Sequence, residues 1–544
     1  MPVSARYSIG IDFGTESGRV LLLNLETGQQ SDPFVVPYTS AVIDRALPGT
    51  NEPLPADWAL QDPDDWTHVV LSGIPEALRR AQIDPATVIG LGIDFTSCTV
   101  LPVTDDGRPL CKNSDWRGHK HAWPKLWKHH AAQPEADQLN HVAAERGEAF
   151  IDRYGGRISS EWLFPKLIEI WADDRDIYQA MDGFFEAADW IVWWLTGVQQ
   201  RQACTAGYKA LWSPDEGFPS DAYFEAAFPG FNKPTEKVGS TFVPLGSLAG
   251  QLRPELAEQL GLSSSVAVAV GNVDSFVSVP GAGVSESGTF VMVIGTSICD
   301  MVVHPREKRL PGITGVVRDG ILPGVYGYEA GQAAVGDMLG WFVTTIGRGL
   351  SHEYLEAAAA QIEPGATGLL ALDWWNGNRT ILADADLSGV ILGLTIQTSA
   401  AEIYRALLES IAFGTRRIMD NFEEHGLPLD RIVACGGIAE KSPLTMQLLA
   451  DISGRTLYVP DSAEVPARGA ALFGAVAAGA FRDIDAAVEA TQQPITHAYE
   501  PDPQARQTYE RVYEIYRELY ETLGRSRSEW LHGLKRIRAD VLES

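Results

Sequence analysis

A chain of 544 residues with 45% hydrophobic and 21% charged residues has the composition of a folded protein of about two to four domains, which excludes both a small stapled module and a disordered segment. Its 43 Lys and Arg against 71 Asp and Glu leave a formal charge of −28, which repels phosphate backbones and anionic lipid and argues against nucleic acid or a membrane surface as partner. The five scattered cysteines form no C-x-x-C pair, Met1 to Ser8 carry no apolar signal core, and the longest nearly apolar run, Gly469 to Phe481, is too short to span a bilayer; together these predict a protein of the reducing cytoplasm.

Four times along the chain a short β-rich run opens into a small polar turn. The first, Ile9 to Thr15, is followed by the alternating stretch Val20 to Asn24 and then Thr27-Gly28, the pattern of a β-hairpin. A helix is predicted over Asp64 to Arg80, the second strand unit over Ile89 to Thr96 and another helix over Trp162 to Ala172. The Trp-rich run 190–194 and the pair Trp374-Trp375 read as core or cleft walls. A strand over Val266 to Val270 leads into Gly271-Asn272-Val273-Asp274, and the turn Gly281-Ala282-Gly283 is the best place to divide the chain.

The third strand unit is Val291 to Ser297. Ser399 and Glu402 form a capping box for a helix running from Ala400 to His425, which stops at Gly426 before Pro428. The fourth unit, Ile432 to Gly437, is followed by Ser442-Pro443, an N-cap and first-turn proline for a helix reaching about Ile452. Tyr509, Val512, Tyr513, Tyr516, Leu519, Tyr520 and Leu523 form an apolar stripe on a final helix, read as packing. Strands and helices alternate throughout, so the fold class is α/β, in two similar halves spanning 1–283 and 284–544.

Several turns have the composition that chemistry requires. Asp12-Phe13-Gly14-Thr15 and Gly295-Thr296-Ser297 are glycine-containing turns after apolar strands, where backbone N–H groups can approach phosphate oxygens; either alone reads first as an ordinary turn, and it is their pairing with Asp12 that points to phosphate. A carboxylate beside bound phosphate is tolerated when Mg²⁺ lies between them, which is the reading for Asp12; Arg19 either reaches the same place or is a surface charge. Asp274 at a strand end is placed as a general base would be, with a turn cap as the competing reading. Gly436-Gly437 offers a flat surface for a planar base, or simply a turn. His119, His121, His129 and His130 have no ligand phasing and are expected to be solvated.

The order of these motifs resembles the FGGY carbohydrate kinases. The longer segments Gly92 to Thr96, Lys125 to His130, Arg157 to Trp162, Ala206 to Lys209, Tyr328 to Gln332 and Leu372 to Gly377 are similar to the branch of that family that phosphorylates L-ribulose. The resemblance implies two ribonuclease-H-like domains of the actin and chaperone ATPase superfamily, a sugar-binding one over 1–283 and a nucleotide-binding one over 284–544, closing on a cleft. It implies ATP and Mg²⁺ as cofactors and transfer of the terminal phosphate to the 5-hydroxyl of L-ribulose, with D-ribulose, xylulose or ribitol as alternative acceptors and a homodimer left open. By the same resemblance Asp274 is the catalytic base and Thr96, Ser97, Lys209, Asp274 and Glu329 meet the sugar. Gly14, Thr15, Gly295, Thr296, Ser297, Gly436, Gly437 and Lys441 hold the nucleotide, and Asp12 serves Mg²⁺, through water. Ser97 and Ser442 depart from the pattern, in which alanine or glycine is frequent at the first position and asparagine at the second. An actin-like or chaperone-like ATPase is the rival from another class, and a non-catalytic sugar sensor would be expected to lack Asp274.

Overall fold

A computed structural model describes residues 5–50, 52–461, 464–492 and 494–543; the first four residues of the amino-terminal stretch lie outside the described residues. Two seven-stranded sheets organise the chain. In the first, the strand order is Phe34–Pro37, Ser17–Asn24, Tyr7–Phe13, Val88–Phe95, Ala267–Ala269 and Leu248–Gln251, with Asn272–Val273 also pairing with Val88–Phe95. In the second it is Gly315–Arg318, Tyr326–Gln332, Ile298–His304, Thr289–Ile294, Arg431–Cys435, Leu457–Pro460 and Ile495–Tyr499. Each sheet begins as an antiparallel hairpin whose first strand then pairs in parallel with a later strand, the ribonuclease-H-like arrangement used twice. All four strand units read from the sequence are strands at the heart of these sheets. Their residues are buried on both faces, which is why they read as continuous apolar runs and not as alternating ones.

The predicted helices are present, with one difference. The span Asp64 to Arg80 divides into Pro63–His68, a π-turn at Val69–Gly73 and Ile74–Ala81. Pro75 lacks the N–H that a continuous α-helix would use and its ring clashes with the preceding turn, so the wider turn absorbs it. The capping box of Ala400–Glu424 is formed reciprocally by Ser399 and Glu402, and Ser442 accepts from the Thr445 N–H at the start of Pro443–Ser453. The tyrosine stripe lies on the helix Pro503–Glu521 and packs against Ala400–Glu424. Buried phenols need partners, and Tyr509 donates to Glu409 (2.7 Å), Tyr513 to Asp420 (2.5 Å) and Tyr516 to Asp373 (3.0 Å).

The histidine expectation is corrected for two of the four. His121 and His129 are buried, edge-on to Trp58, and His129 lies 2.9 Å from Glu169, which also pairs with Lys125 at 2.8 Å. Burial first, and Lys125 second, push His129 down to about 3, so it is neutral. A charged residue can line a core when its partner is supplied from elsewhere in the chain, here by Glu169 on Leu163–Asp173, and that partner is not legible from local sequence. Among the described residues no group of three or more His, Cys, Asp and Glu could hold a metal ion, and no helix is long and apolar enough to cross a membrane.

Two helices lie between the sheets, Val465–Ala477 against the first sheet and Asp274–Gly281 between it and the second. Val465–Ala477 lies in the apolar cluster that unites Leu21 and Leu23 of the first sheet with Val291 and Met301 of the second. Its small residues let backbones touch. A Cβ added to Gly10 would stand 1.8 Å from the Ala467 carbonyl oxygen, and one added to Gly92 would stand 1.9 Å from that of Ala470. This close approach accounts for the run beginning at Gly469. Gly92→Ala is accordingly expected to cost roughly 1–3 kcal/mol by overpacking. The cost would be read as a melting temperature lowered by several degrees, and an unchanged melting temperature would refute the contact.

Candidate active site

The site begins with strand register. Asp12 and Asp94 are direct neighbours on parallel strands, and Asp94 is in turn paired with Asn272, two residues before Asp274. Three carboxylates are thereby delivered to one end of the first sheet, where the strands stop and loops open, the usual place for ligands in open α/β sheets. Asp274 is the first residue of the helix Asp274–Gly281, and its Oδ1 accepts from the N–H of Ser275 at 2.6 Å.

The three carboxylates differ in surroundings. Arg19, from the second strand of the hairpin, donates to Asp12 at 3.1 Å and approaches Glu464 at 3.5 Å, so it belongs to the site and is not a free surface charge. Asp94 is fully buried and neither of its oxygens has a hydrogen-bond donor. Burial, reinforced by Asp12 and then Asp274, holds its carboxyl well above the ordinary range, and burial raises Asp12 against the opposing pull of Arg19. Asp274 is pushed up to about 7 by burial and by Asp12. A carboxylate poised near neutrality is suited to accepting a proton from a hydroxyl.

A second pair crosses from one lobe to the other. Lys209 ends the helix Ala203–Lys209 of the first lobe, and its Nζ lies 2.8 and 3.1 Å from the two carboxylate oxygens of Glu329 on Tyr326–Gln332 of the second. Both side chains are buried, and Asp274 lies within the electrostatic field of the two. An ammonium and a carboxylate side by side supply the donors and acceptors that a polyhydroxylated ligand requires. Nearby, Thr96 shares a 2.7 Å hydrogen bond with Thr99, and the Ser97 hydroxyl is buried without a partner.

The two glycine turns occupy equivalent places, each closing the first hairpin of its sheet. The Gly14 N–H donates to the Ser17 carbonyl at 3.0 Å, and the Gly295 N–H to that of Ser297 at 2.9 Å. Thr15 accepts from the Trp127 indole N–H at 3.1 Å, whereas Gly295 and Thr296 are exposed. Gly436, at φ 94°, turns the chain directly after Arg431–Cys435 and starts the short helix Gly437–Lys441; a Cβ there would meet the Ile294 carbonyl oxygen at 2.7 Å. Gly437 has nothing within 4 Å of where a Cβ would be, so this surface is open. Lys441 is exposed. The Ser442 hydroxyl is taken up by Glu356 at 2.8 Å and by its own helix, which makes it part of the second lobe's framework.

Sequence reading missed Asp94 as a member of the site, although it carries the same strand-end carboxylate signature as Asp12. It also missed Trp127, which lies inside a segment quoted only for its resemblance.

Residues 7–281 match the N-terminal domain, and residues 290–478 the C-terminal domain, of the FGGY family of carbohydrate kinases. The chain is 47% identical over 546 aligned positions to the ribulokinase of Anoxybacillus flavithermus, covering 97% of both chains. It is 43% identical to that of Mycolicibacterium smegmatis, covering 96% of this chain and 95% of the relative. In fold it is similar to the xylulose kinase of Rhodospirillum rubrum, with a TM-score of 0.80 at 23% identity and coverage of 97% and 100%. The ADP-bound glycerol kinase of Plasmodium falciparum gives a TM-score of 0.78 at 16% identity, with coverage of 95% and 98%. The matched domains, the full-length relatives and the doubled sheet agree, and the chain belongs to the FGGY family of carbohydrate kinases.

Proposed function

We propose that this carbohydrate kinase transfers the terminal phosphate of ATP to the 5-hydroxyl of L-ribulose, giving L-ribulose 5-phosphate and ADP. The observation that carries the reading is Asp274, delivered by strand register to the same end of the sheet as Asp12 and Asp94 and raised to about 7 by burial and by Asp12. Full-length relatives named ribulokinase supply the sugar. Phosphoryl transfer asks a protein mainly to position groups and stabilise charge. Lys209, Glu329, Thr96 and Ser97 orient the sugar, and Asp274 takes the proton of the 5-hydroxyl as its oxygen attacks the phosphorus. Gly14 and Thr15 in the first lobe and Gly295, Thr296 and Ser297 in the second hold phosphate oxygens, with Gly436, Gly437 and Lys441 beside the adenosine.

Asp12, backed by the unpartnered oxygens of Asp94, is a hard-oxygen donor set that fits Mg²⁺, and one or two carboxylates are what that ion takes from a protein when phosphates and water supply the rest. Held by Asp12, the ion would supply positive charge that neutralises the phosphates. A panel of L-ribulose, D-ribulose, xylulose and ribitol in an ADP-release assay tests the function. L-Ribulose is expected to give the highest kcat/KM. A tenfold preference for another of the four would reassign the substrate, and ATP turnover indifferent to every sugar would replace the kinase with an ATPase.

A further inference from the structure

Behind the turn that carries Thr96 and Ser97 lies a charge that the mechanism does not use. Lys166, on the helix Leu163–Asp173, is fully buried, and among the described residues its ammonium enters no salt bridge; Glu169, one turn along the same helix, is taken by Lys125 and His129. The Lys166 Nζ instead donates to two backbone carbonyl oxygens, that of Cys98 at 2.8 Å and that of Leu126 at 2.9 Å. Burying an ammonium without a carboxylate beside it costs stability that an apolar side chain of similar length would not. The two carbonyls offset part of that cost, and they belong to two segments that both bear on the site.

The first carbonyl lies in the turn that follows Val88–Phe95. Cys98 stands there at φ 57°, a left-handed conformation that residues other than glycine adopt at a cost, and the turn is closed by the Thr96–Thr99 hydroxyl pair at 2.7 Å. What this turn presents is Ser97, its hydroxyl buried and unpartnered. The second carbonyl immediately precedes Trp127, whose indole N–H donates to the Thr15 hydroxyl at 3.1 Å, while the Gln61 amide donates to the Thr15 carbonyl at 2.8 Å. Beside these contacts the two segments exchange backbone hydrogen bonds between Val100 and Lys125, at 2.8 and 3.0 Å. Lys166 adds a side-chain tie between the turn proposed to meet the sugar and the segment that grips the turn proposed to hold phosphate.

We infer that Lys166 is a positioning residue for phosphoryl transfer, which holds the Thr96–Thr99 turn and the Trp127 segment at one spacing and through them sets the acceptor hydroxyl against the phosphate. It touches neither ligand, and no bond forms or breaks at it. Two reactants gain most from being held at attack distance, and a misplacement of about 1 Å costs on the order of 100-fold in rate. The inference rests on the kinase reading above.

Lys166→Met, which keeps an unbranched side chain and removes the donors, tests it. Its kcat is expected to fall by about 100-fold while calorimetry finds L-ribulose and ADP each bound within about threefold of the parent. A residue that only stabilises the fold would lower the melting temperature and leave the kcat of the folded protein unchanged. Trp127→Phe supplies a second readout: with the grip on the Thr15 hydroxyl gone, Lys166→Met has less to transmit and should cost no more than about tenfold in that background. With sugar present, ADP with aluminium fluoride, a mimic of the group in transit, should bind Lys166→Met at least about tenfold more weakly than the parent, while ADP alone keeps its affinity. If methionine prevents folding, Lys166→Arg decides, because it keeps the charge but carries its terminal nitrogens one atom further out; kcat should then fall by at least about tenfold with both affinities held. A kcat within about threefold of the parent in the folded variant, full additivity with Trp127→Phe, an unchanged affinity for ADP with aluminium fluoride, or a loss confined to the affinity of one ligand would each overturn the inference. A parent protein without turnover on any ketopentose would sink the proposed function instead, and the fluoride comparison, which needs no turnover, would still report on Lys166.

Discussion

Replacing Asp274 by Asn is expected to leave the fold and the sugar affinity intact and to lower turnover by about 10²–10⁴, or roughly 3–5.5 kcal/mol of barrier. Asparagine keeps the size and still accepts from the Ser275 N–H, but it cannot take the proton of a hydroxyl. The parent offers a second signature. Since burial and Asp12 push Asp274 up to about 7, the base is protonated and inactive below that value, and kcat/KM should rise with pH through about 7 and then level. The residual rate of the variant should lack this limb. A turn-capping role alone predicts something different, a stability loss of about 1 kcal/mol with nearly normal turnover. Melting temperature, L-ribulose affinity and pH–rate profiles on one preparation separate the two. A folded variant within about threefold of parental turnover removes Asp274 from the chemistry.

Glu329→Ala is expected to lower sugar affinity by roughly ten- to a hundredfold, the worth of a charged hydrogen bond to a hydroxyl, and to leave ATP affinity nearly unchanged. The variant also strips the buried Lys209 ammonium of its partner, and breaking a buried pair from one side costs about 3–5 kcal/mol. Because Lys209 and Glu329 come from different lobes, part of that cost falls on the contact between the lobes. Glu329→Gln, which keeps an acceptor beside the ammonium, should bind sugar between the parent and the alanine variant. Calorimetry with each ligand in turn checks the partition, and a fall in ATP affinity with sugar affinity unmoved would show that Glu329 serves the other pocket.

Much of this was readable from residues alone. The strand units were legible because strands buried on both faces become short apolar runs, and the turns because phosphate loops and sharp reversals both need glycine. The long helix was legible from its Ser399–Glu402 capping box. What stayed hidden depends on partners distant in sequence. Asp94 gained its meaning only when register set it beside Asp12; His129 looked like a surface histidine until Glu169 and Lys125 enclosed it. Thr380 illustrates the same limit, since no local pattern says that the loop after Trp375 folds back onto the strand bearing Glu329, where Thr380 accepts from the Gly331 N–H. The π-turn before Pro75 was signalled by the proline, which a count of apolar spacing passes over.

The helix packed on the first sheet also sets a timetable for synthesis. The strand Val88–Phe95 leaves the ribosome about 370 residues before Val465–Ala477, the helix whose carbonyls rest on Gly92 and Gly10. At typical elongation rates that is a wait of roughly 20–75 s. The first sheet is complete only once Asn272–Val273 has followed, and for the remaining interval of about 190 residues, roughly 10–40 s, it has this face uncovered, around glycines that have no side chains to shield it. A nascent chain in this state presents an open apolar groove shaped for a helix of small residues. Chaperone occupancy during translation should therefore concentrate on the first lobe and end only after residue 477 has emerged, even though every strand of that lobe was completed long before.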